Sequence, residues 1–199
     1  LPQMPLLNLL ILRRNKDMST QKTSTKVVTG VVRLSYANVW EPASINGSNP
    51  KYSVSLIIPK SDAKTIAEIN AAIDVAIEAG VGKFGGKKPN KAALKLPLRD
   101  GDLEREDEAY QGSYFLNANS TTAPQIVDRA VNPILDRGEI YSGCYARVSV
   151  NFYAFNSNGN RGIACGLGNI QKVRDGDPLG SRSSAADDFA TDLDDDFLS

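Results

Sequence analysis

The residues best suited to chemistry in this chain alternate along one stretch, Glu139–Phe155 (EIYSGCYARVSVNFYAF). In a strand, successive side chains point to opposite faces. One face then carries Cys144, Ala146, Val148, Val150, Phe152 and Ala154, all small or apolar, and reads as core. The other carries Tyr145, Arg147, Ser149, Asn151, Tyr153 and Phe155. A plain solvent face would use Lys, Glu and Thr. Rings interleaved with a guanidinium suit unpaired nucleic-acid bases, each stack contributing about 1–3 kcal/mol. The bland alternative is a second packed face, as in a closed barrel.

Other constellations are weaker. Asp100, Asp102 and Glu104 open a carboxylate-dense segment, DGDLEREDE, which a metal-dependent nuclease could use. The spacing does not match a calcium loop. The chain has no His, the commonest metal ligand and general base. A turn followed by a solvated loop is therefore the expectation. Gly80–Lys91 (GVGKFGGKKPNK) is a Lys-rich loop around Phe84. It lacks the glycine spacing and the Ser or Thr of a phosphate-binding loop. Cys144 and Cys165 are the two cysteines, too few and wrongly spaced for a zinc site or a disulfide framework. They suit a reducing cytoplasm. No cofactor and no metal is expected.

Formal net charge is zero, but the charge is polarised. From Asp175 onward there are eight Asp and one Arg, and the preceding residues carry a net of +7. The last thirteen residues hold Asp187, Asp188, Asp192, Asp194, Asp195 and Asp196, with Phe197 among them. Such a segment cannot bury enough surface to fold alone. A flexible polyanion bearing a ring can imitate nucleic acid, and it can also hook partner proteins. A basic body with an acidic tail points to a polyanionic ligand and an internal competitor for it. A merely solubilising tail is the alternative.

These groups need a frame to position them. Residues 1–21 are set aside as a leader without structure of its own, with Met18 resembling a natural start. The apolar run Pro5–Leu12 is too short to span a bilayer, and no membrane partner is expected. Lys26–Tyr36 reads as a strand with a bulge at Gly30, and Asn38–Pro50 as a loop. Lys51–Pro59 alternates, with Tyr52, Val54, Leu56 and Ile58 on one face. Ser61 or Asp62 caps a helix running to about Ala79, whose stripe is Ile66, Ile69, Ile73, Ala76 and Ile77. Gly80 can stop it. Ala93–Arg99 and Gly112–Ala118 read as further strands. The turn Asn156–Asn160 sends Gly162–Val173 back along Glu139–Phe155. That register keeps the two thiols apart, with Cys165 near Asn151 and Cys144 near Lys172. The domain thus covers residues 22–174, and residues 175–199 form a linker and acidic tail. About five strands, one helix after the second and long loops fit a mainly β barrel of the oligonucleotide-binding (OB) type. Pattern alone leaves a β-sandwich open.

One ordered string of motifs goes further. It comprises Trp40-Glu-Pro, the run Tyr52–Asp62, Pro97-Leu-Arg-Asp-Gly-Asp102, Tyr114–Ser120, Tyr141-Ser-Gly-Cys-Tyr145 and Gly162–Gln171. Over about Lys22–Gly180 it resembles a family of tailed-phage single-stranded DNA-binding proteins, first catalogued as a domain of unknown function. The resemblance implies an OB fold, sequence-independent binding of single-stranded DNA and work in phage replication or recombination in the bacterial host cytoplasm. The tail resembles that of bacterial single-stranded DNA-binding proteins, which end Asp-Asp-Asp-Ile-Pro-Phe. Here Phe197-Leu-Ser199 follows Asp194-Asp-Asp196, so the ring is not terminal.

The expectation is a non-enzymatic single-stranded DNA-binding protein. Lys51, Lys83, Lys87, Lys88, Arg99, Arg129, Arg147, Arg161 and Lys172 would track phosphates. Trp40, Tyr52, Phe84, Tyr114, Phe115, Tyr145, Tyr153 and Phe155 would stack on bases, with Tyr52 sharing a face with Val54 and Leu56. The tail would compete for the DNA groove and recruit replication or recombination proteins, and a homo-oligomer is open. The alternatives are a strand-annealing recombination protein and the metal-dependent nuclease using Asp100, Asp102 and Glu104.

Overall fold

The computed structural model describes residues 24–44 and 46–180. Strands β1 (Lys26–Val28) and β2 (Val32–Ala43) replace the single strand expected around Gly30. The chain breaks there because Gly30 passes the start of the long helix. Its N–H donates to Thr65 Oγ1 at 2.9 Å, and a Cβ at Gly30 would lie 2.5 Å from Asp62 Oδ2. β2 runs seven residues beyond the expected strand end at Tyr36, into what the sequence suggests is loop. It does so through two register shifts against β3 (Lys51–Pro59), between Ser35 and Asn38 and between Asn38 and Ala43.

Helix α1 (Ala63–Ala79) begins as expected, with the Asp62 carboxylate accepting from Thr65 N–H. It buries Ile69, Ala72, Ile73, Ala76 and Ile77. It ends at Gly80, where a Cβ would lie 2.2 Å from the Ala154 Cβ, so this glycine lets the helix end pack on the sheet. The strand expected over Ala93–Arg99 shrinks to β4 (Arg99–Asp100), with a 3-10 turn at Lys91–Ala93 and a single bridge at Lys95. A one-turn helix α2 (Gly101–Glu104) follows, then β5 (Ser113–Ser120) and β6 (Ile126–Val127). β7 (Tyr145–Ser157) starts later than the expected Glu139, because Arg137–Glu139 is a 3-10 turn. β8 (Asn160–Arg174) returns from a two-residue turn at Asn158 and Gly159, whose φ values of +51° and +80° suit Asn-Gly.

Pairing closes on itself. β2 pairs β3, β3 pairs β5, β5 pairs β8 in parallel at Asn119 and Gly166, β8 pairs β7, and β7 pairs β2. Sequential strands thus stand in the ring order first, second, third, fifth, fourth, which is an OB-like arrangement. The interior holds the expected face of β7, namely Ala146, Val148, Val150, Phe152 and Ala154, with Cys144 just before it and Leu34, Leu56, Leu116 and Ile170 from the other strands. Both thiols are free and buried, and Cys165 faces Phe152, one position from the expected Asn151. The offset comes from the turn, which is centred between Asn158 and Gly159 so that Ser157 pairs Asn160. Burial pushes both thiols well above their ordinary range.

Candidate nucleic-acid interface

The β3–β5 register decides which side chains leave the barrel. Tyr52, Val54, Leu56 and Ile58 point inward, opposite Ser120, Ala118, Leu116 and Tyr114. Ser53 faces Asn119, Ser55 faces Asn117, and Ile57 faces Phe115 on the outer side. The outer face is therefore divided along its length. At the Ile57–Phe115 end the segment between β4 and β5 folds over it and forms a small second core. There Tyr110 meets Phe115 edge-on, with centroids 5.3 Å apart. At the Ser53–Asn119 end the face is open.

That open end is a groove of about 590 Å³. Its floor is Ser53, Ser55, Asn117 and Asn119, and its walls include Tyr36, Asn38, Lys51 and Arg105. Among the described residues no carboxylate lines it. Tyr36 sits at the first register shift of β2 with φ +47° and is 64% exposed. A bulky residue in the left-handed region is uncommon, and such strain persists where the surroundings enforce it. Here the irregular backbone turns a ring out of the strand and onto the groove wall. The groove thus offers hydroxyls and amides, two cations and a free ring, a set that fits a flexible polyanion with bases.

Of the seventeen expected contacts, only Lys51 lines this groove. Several rings are corrected. Phe84 and Phe115 are buried and have no face for a base. Tyr52 and Trp40 pack on the main core, and Trp40 Nε1 donates to the Ile140 carbonyl at 3.3 Å. Tyr114 is half-buried, with Lys60 Nζ 5.1 Å from its ring. Tyr145 is half-buried and already covered by the guanidiniums of Arg174 and Arg33, at 3.7 and 5.5 Å. Tyr153 is 41% exposed and Phe155 half-buried, and neither lines the groove.

Several cations are also engaged. Lys172 is held by Glu139 at 2.6 Å and Asp175 at 2.7 Å, with its side chain only 11% exposed. That corrects its assignment to phosphate. Lys88 pairs with Glu78, and Arg99 with Glu104 at 2.6 Å. Lys83 donates to the Ala154 carbonyl, Arg161 to that of Phe84, and Arg147 to that of Thr29. Arg147 lines a separate cleft between α1 and β1, which shares no lining residue with the groove. Lys87 and Arg129 are exposed.

The carboxylate-dense segment has a structural part. Lys60 Nζ lies 2.8 Å from Asp100 and 2.7 Å from Asp102, and Asp102 also accepts from Gly112 N–H. These bonds hold the Asp102 carboxyl below its ordinary range and raise the Lys60 ammonium above its own. No group of three or more His, Cys, Asp or Glu gathers as a metal site among the described residues. The acidic tail residues lie outside the described residues.

Sequence reasoning missed Tyr36, Asn38, Ser53, Ser55, Arg105, Asn117 and Asn119. A signal did exist. Ser53 and Ser55, and Asn117 and Asn119, each place small polar groups two apart on strands whose other face is apolar. Tyr36 carried no such signal, because a bulge is not written in alternation.

The family model described as Enterobacter phage Enc34, ssDNA-binding protein, matches residues 25–198. Protein p50 of Acyrthosiphon pisum secondary endosymbiont phage 1 is 34% identical over 158 residues, covering 76% of this chain and 85% of that protein. Among solved structures, the single-stranded DNA-binding protein of bacteriophage Enc34 in complex with ssDNA is similar with a TM-score of 0.68. It is 23% identical and covers 78% of this chain and 90% of that one. The single-stranded DNA-binding protein gp2.5 of bacteriophage T7 shares the fold at a TM-score of 0.57 and 16% identity, covering 87% of this chain and 97% of that one. By the extent of the family match and the identity to the phage protein, this chain belongs to the Enc34 family of phage single-stranded DNA-binding proteins.

Proposed function

We propose that this protein binds single-stranded DNA without regard to sequence, in the open groove on β3 and β5. It protects and organises single strands during phage replication or recombination in the host cytoplasm. The observation that carries the reading is the groove lining, in which Lys51, Arg105, Tyr36 and short polar side chains meet with no carboxylate among the described residues. Cations contribute affinity that is indifferent to sequence. A ring stacks on any base, since every base has a π-face. Family membership supports the same ligand. The protein acts as a binder and not as a nuclease, in keeping with the engagement of Asp100, Asp102 and Glu104 by Lys60 and Arg99.

The tail extends this reading. Asp187, Asp188, Asp192, Asp194, Asp195, Asp196 and Phe197 compete with DNA for the groove, and once displaced they recruit replication or recombination proteins. The support is the charge polarity of the chain.

The test is a fluorescence titration with labelled oligonucleotides of several sequences, single-stranded and duplex, across salt concentrations. Tight, sequence-indifferent binding to single strands is expected, with a log–log salt slope of about −0.7 per phosphate contacted. Equal affinity for duplex would sink the reading. Mg²⁺ or Mn²⁺ added to circular single-stranded DNA should leave it uncut.

A further inference from the structure

The segment joining β4 to β5 carries one cation whose charge goes unanswered. Arg105 stands in a run of acids, yet Lys60 holds Asp100 and Asp102, and Arg99 holds Glu104. No ion pair among the described residues includes Arg105. Its Nε is shielded from solvent and finds no hydrogen-bond partner among them. Its guanidinium carbon lies 4.8 Å from the Phe115 centroid and 5.3 Å from that of Tyr110. Both rings are buried and locked edge-to-face, so the planar cation rests on a rigid aromatic platform.

A second orphan lies on the same groove. Ser55 is 2% exposed, and its Oγ also has no partner among the described residues. Across the β3–β5 ladder it faces Asn117, whose side chain is exposed. Arg105, Ser55 and Asn117 all line the groove. Buried polar groups are hydrogen-bonded as a rule. Two unpartnered ones at one groove therefore mark a place for a ligand's acceptor atoms.

We propose that Arg105, Ser55 and Asn117 seat one backbone phosphodiester of single-stranded DNA where the inserted segment roofs the groove. This rests on the single-strand-binding reading above. All three side chains can donate, and a phosphodiester only accepts. A guanidinium is weakly hydrated and presents a planar fork that matches two phosphate oxygens. Base edges differ from one nucleotide to the next, whereas the phosphate is constant, so the seat adds affinity without sequence preference. Ser55 lies four residues along β3 from Lys51, about 13 Å at strand rise. The seat thus fixes the strand at one end of the groove, beside Tyr36, which follows the Ser35 that pairs Ser55, while Lys51 holds it further along.

The experiment titrates full-length protein with labelled oligothymidylate across salt concentrations. R105A should bind about tenfold more weakly at low salt, with a salt slope shallower by about 0.7, the share of one phosphate. S55A should lose affinity a few-fold at unchanged slope, because a hydroxyl carries no charge. R105K should keep the slope but not the affinity, since it lacks the fork. Removing Arg105 uncovers two rings, so a second readout uses the wild type. In a ¹⁵N-edited spectrum, the arginine Nε–H resonance missing from R105K should shift and exchange more slowly with solvent when oligothymidylate binds. An unchanged slope in R105A, or an Nε–H that stays put while DNA binds, overturns the seat and leaves single-strand binding standing. If the wild type binds no oligothymidylate, the functional reading fails first. If the resonance moves on deleting Asp187–Ser199 without DNA and not on adding DNA, the oxyanion is a tail carboxylate and the phosphate seat is overturned.

Discussion

The guanidinium carbon of Arg174, at the end of β8, sits 3.7 Å from the centroid of the Tyr145 ring, at the start of β7. Arg33 adds a second cation at 5.5 Å, and its Nη2 donates to the Asp177 carbonyl at 2.7 Å. A Cβ at Gly176 would lie 2.6 Å from Tyr145 Cε2, so the chain leaving β8 runs against this ring. Tyr145 therefore pins the exit of the barrel, where alternation alone would aim it at a base.

Tyr145→Ala is accordingly expected to act on stability. The loss should be about 1–3 kcal/mol from ring packing and cation–π contact, read as a lower Tm in thermal unfolding. Affinity for single-stranded DNA, measured below that Tm, should stay near wild type. A drop in affinity at unchanged Tm would return Tyr145 to the DNA surface.

Tyr36 should behave in the opposite way. It is exposed and strained at φ +47°. Tyr36→Ala should cost about 1–3 kcal/mol of DNA binding with little change in Tm. Tyr36→Gly should bind as weakly yet melt slightly higher, because glycine adopts positive φ without steric cost. Wild-type affinity in both variants would remove the ring from the interface.

Deleting Asp187–Ser199 should tighten DNA binding at low salt. Six carboxylates tethered to the basic body compete at a high effective concentration, about millimolar. The gain should fade as salt shortens the Debye length to a few Å. Phe197→Ala should reproduce part of it. The comparison is a titration of full-length and shortened protein at two salt concentrations, and equal affinities at low salt would leave the tail as a partner hook alone.

The Lys60–Asp102 pair sets a pH dependence of defined sign. Asp102 is held below its ordinary range, first by Lys60 and then by Gly112 N–H. Its contribution is present above the unfolded carboxylate value of about 4 and is lost as pH falls through the lower folded value. Lys60 is raised by Asp100 and Asp102, so its contribution holds below about pH 10 and is lost as pH climbs beyond. Tm measured against pH should therefore fall at the acid and alkaline ends, and D102N should flatten the acid limb. An acid limb identical in D102N would mean that the pair does not couple to folding.

Much of the frame was legible in the residues themselves. The period of two along Glu139–Phe155 named the inward face of β7, and Asp62, the Ile stripe and Gly80 bounded α1. Asn158-Gly159 set the hairpin to β8. Each is a local rule, since pattern and turn chemistry act over a few residues. The phage single-strand-binding resemblance likewise rested on ordered local motifs. Only the tertiary structure decided which polar face becomes a groove. The outer face of β7 keeps Arg147, Asn151 and Tyr153 exposed while Arg174 and Arg33 cover Tyr145, and it is the quieter Ser53, Ser55, Asn117 and Asn119 face that forms the groove with Tyr36, Lys51 and Arg105. The bulge that turns Tyr36 outward, and the fold-over that lays Arg105 on Tyr110 and Phe115, depend on contacts between segments distant in sequence. Alternation gives the two faces of a strand, but what covers each face is settled by strands and loops far along the chain.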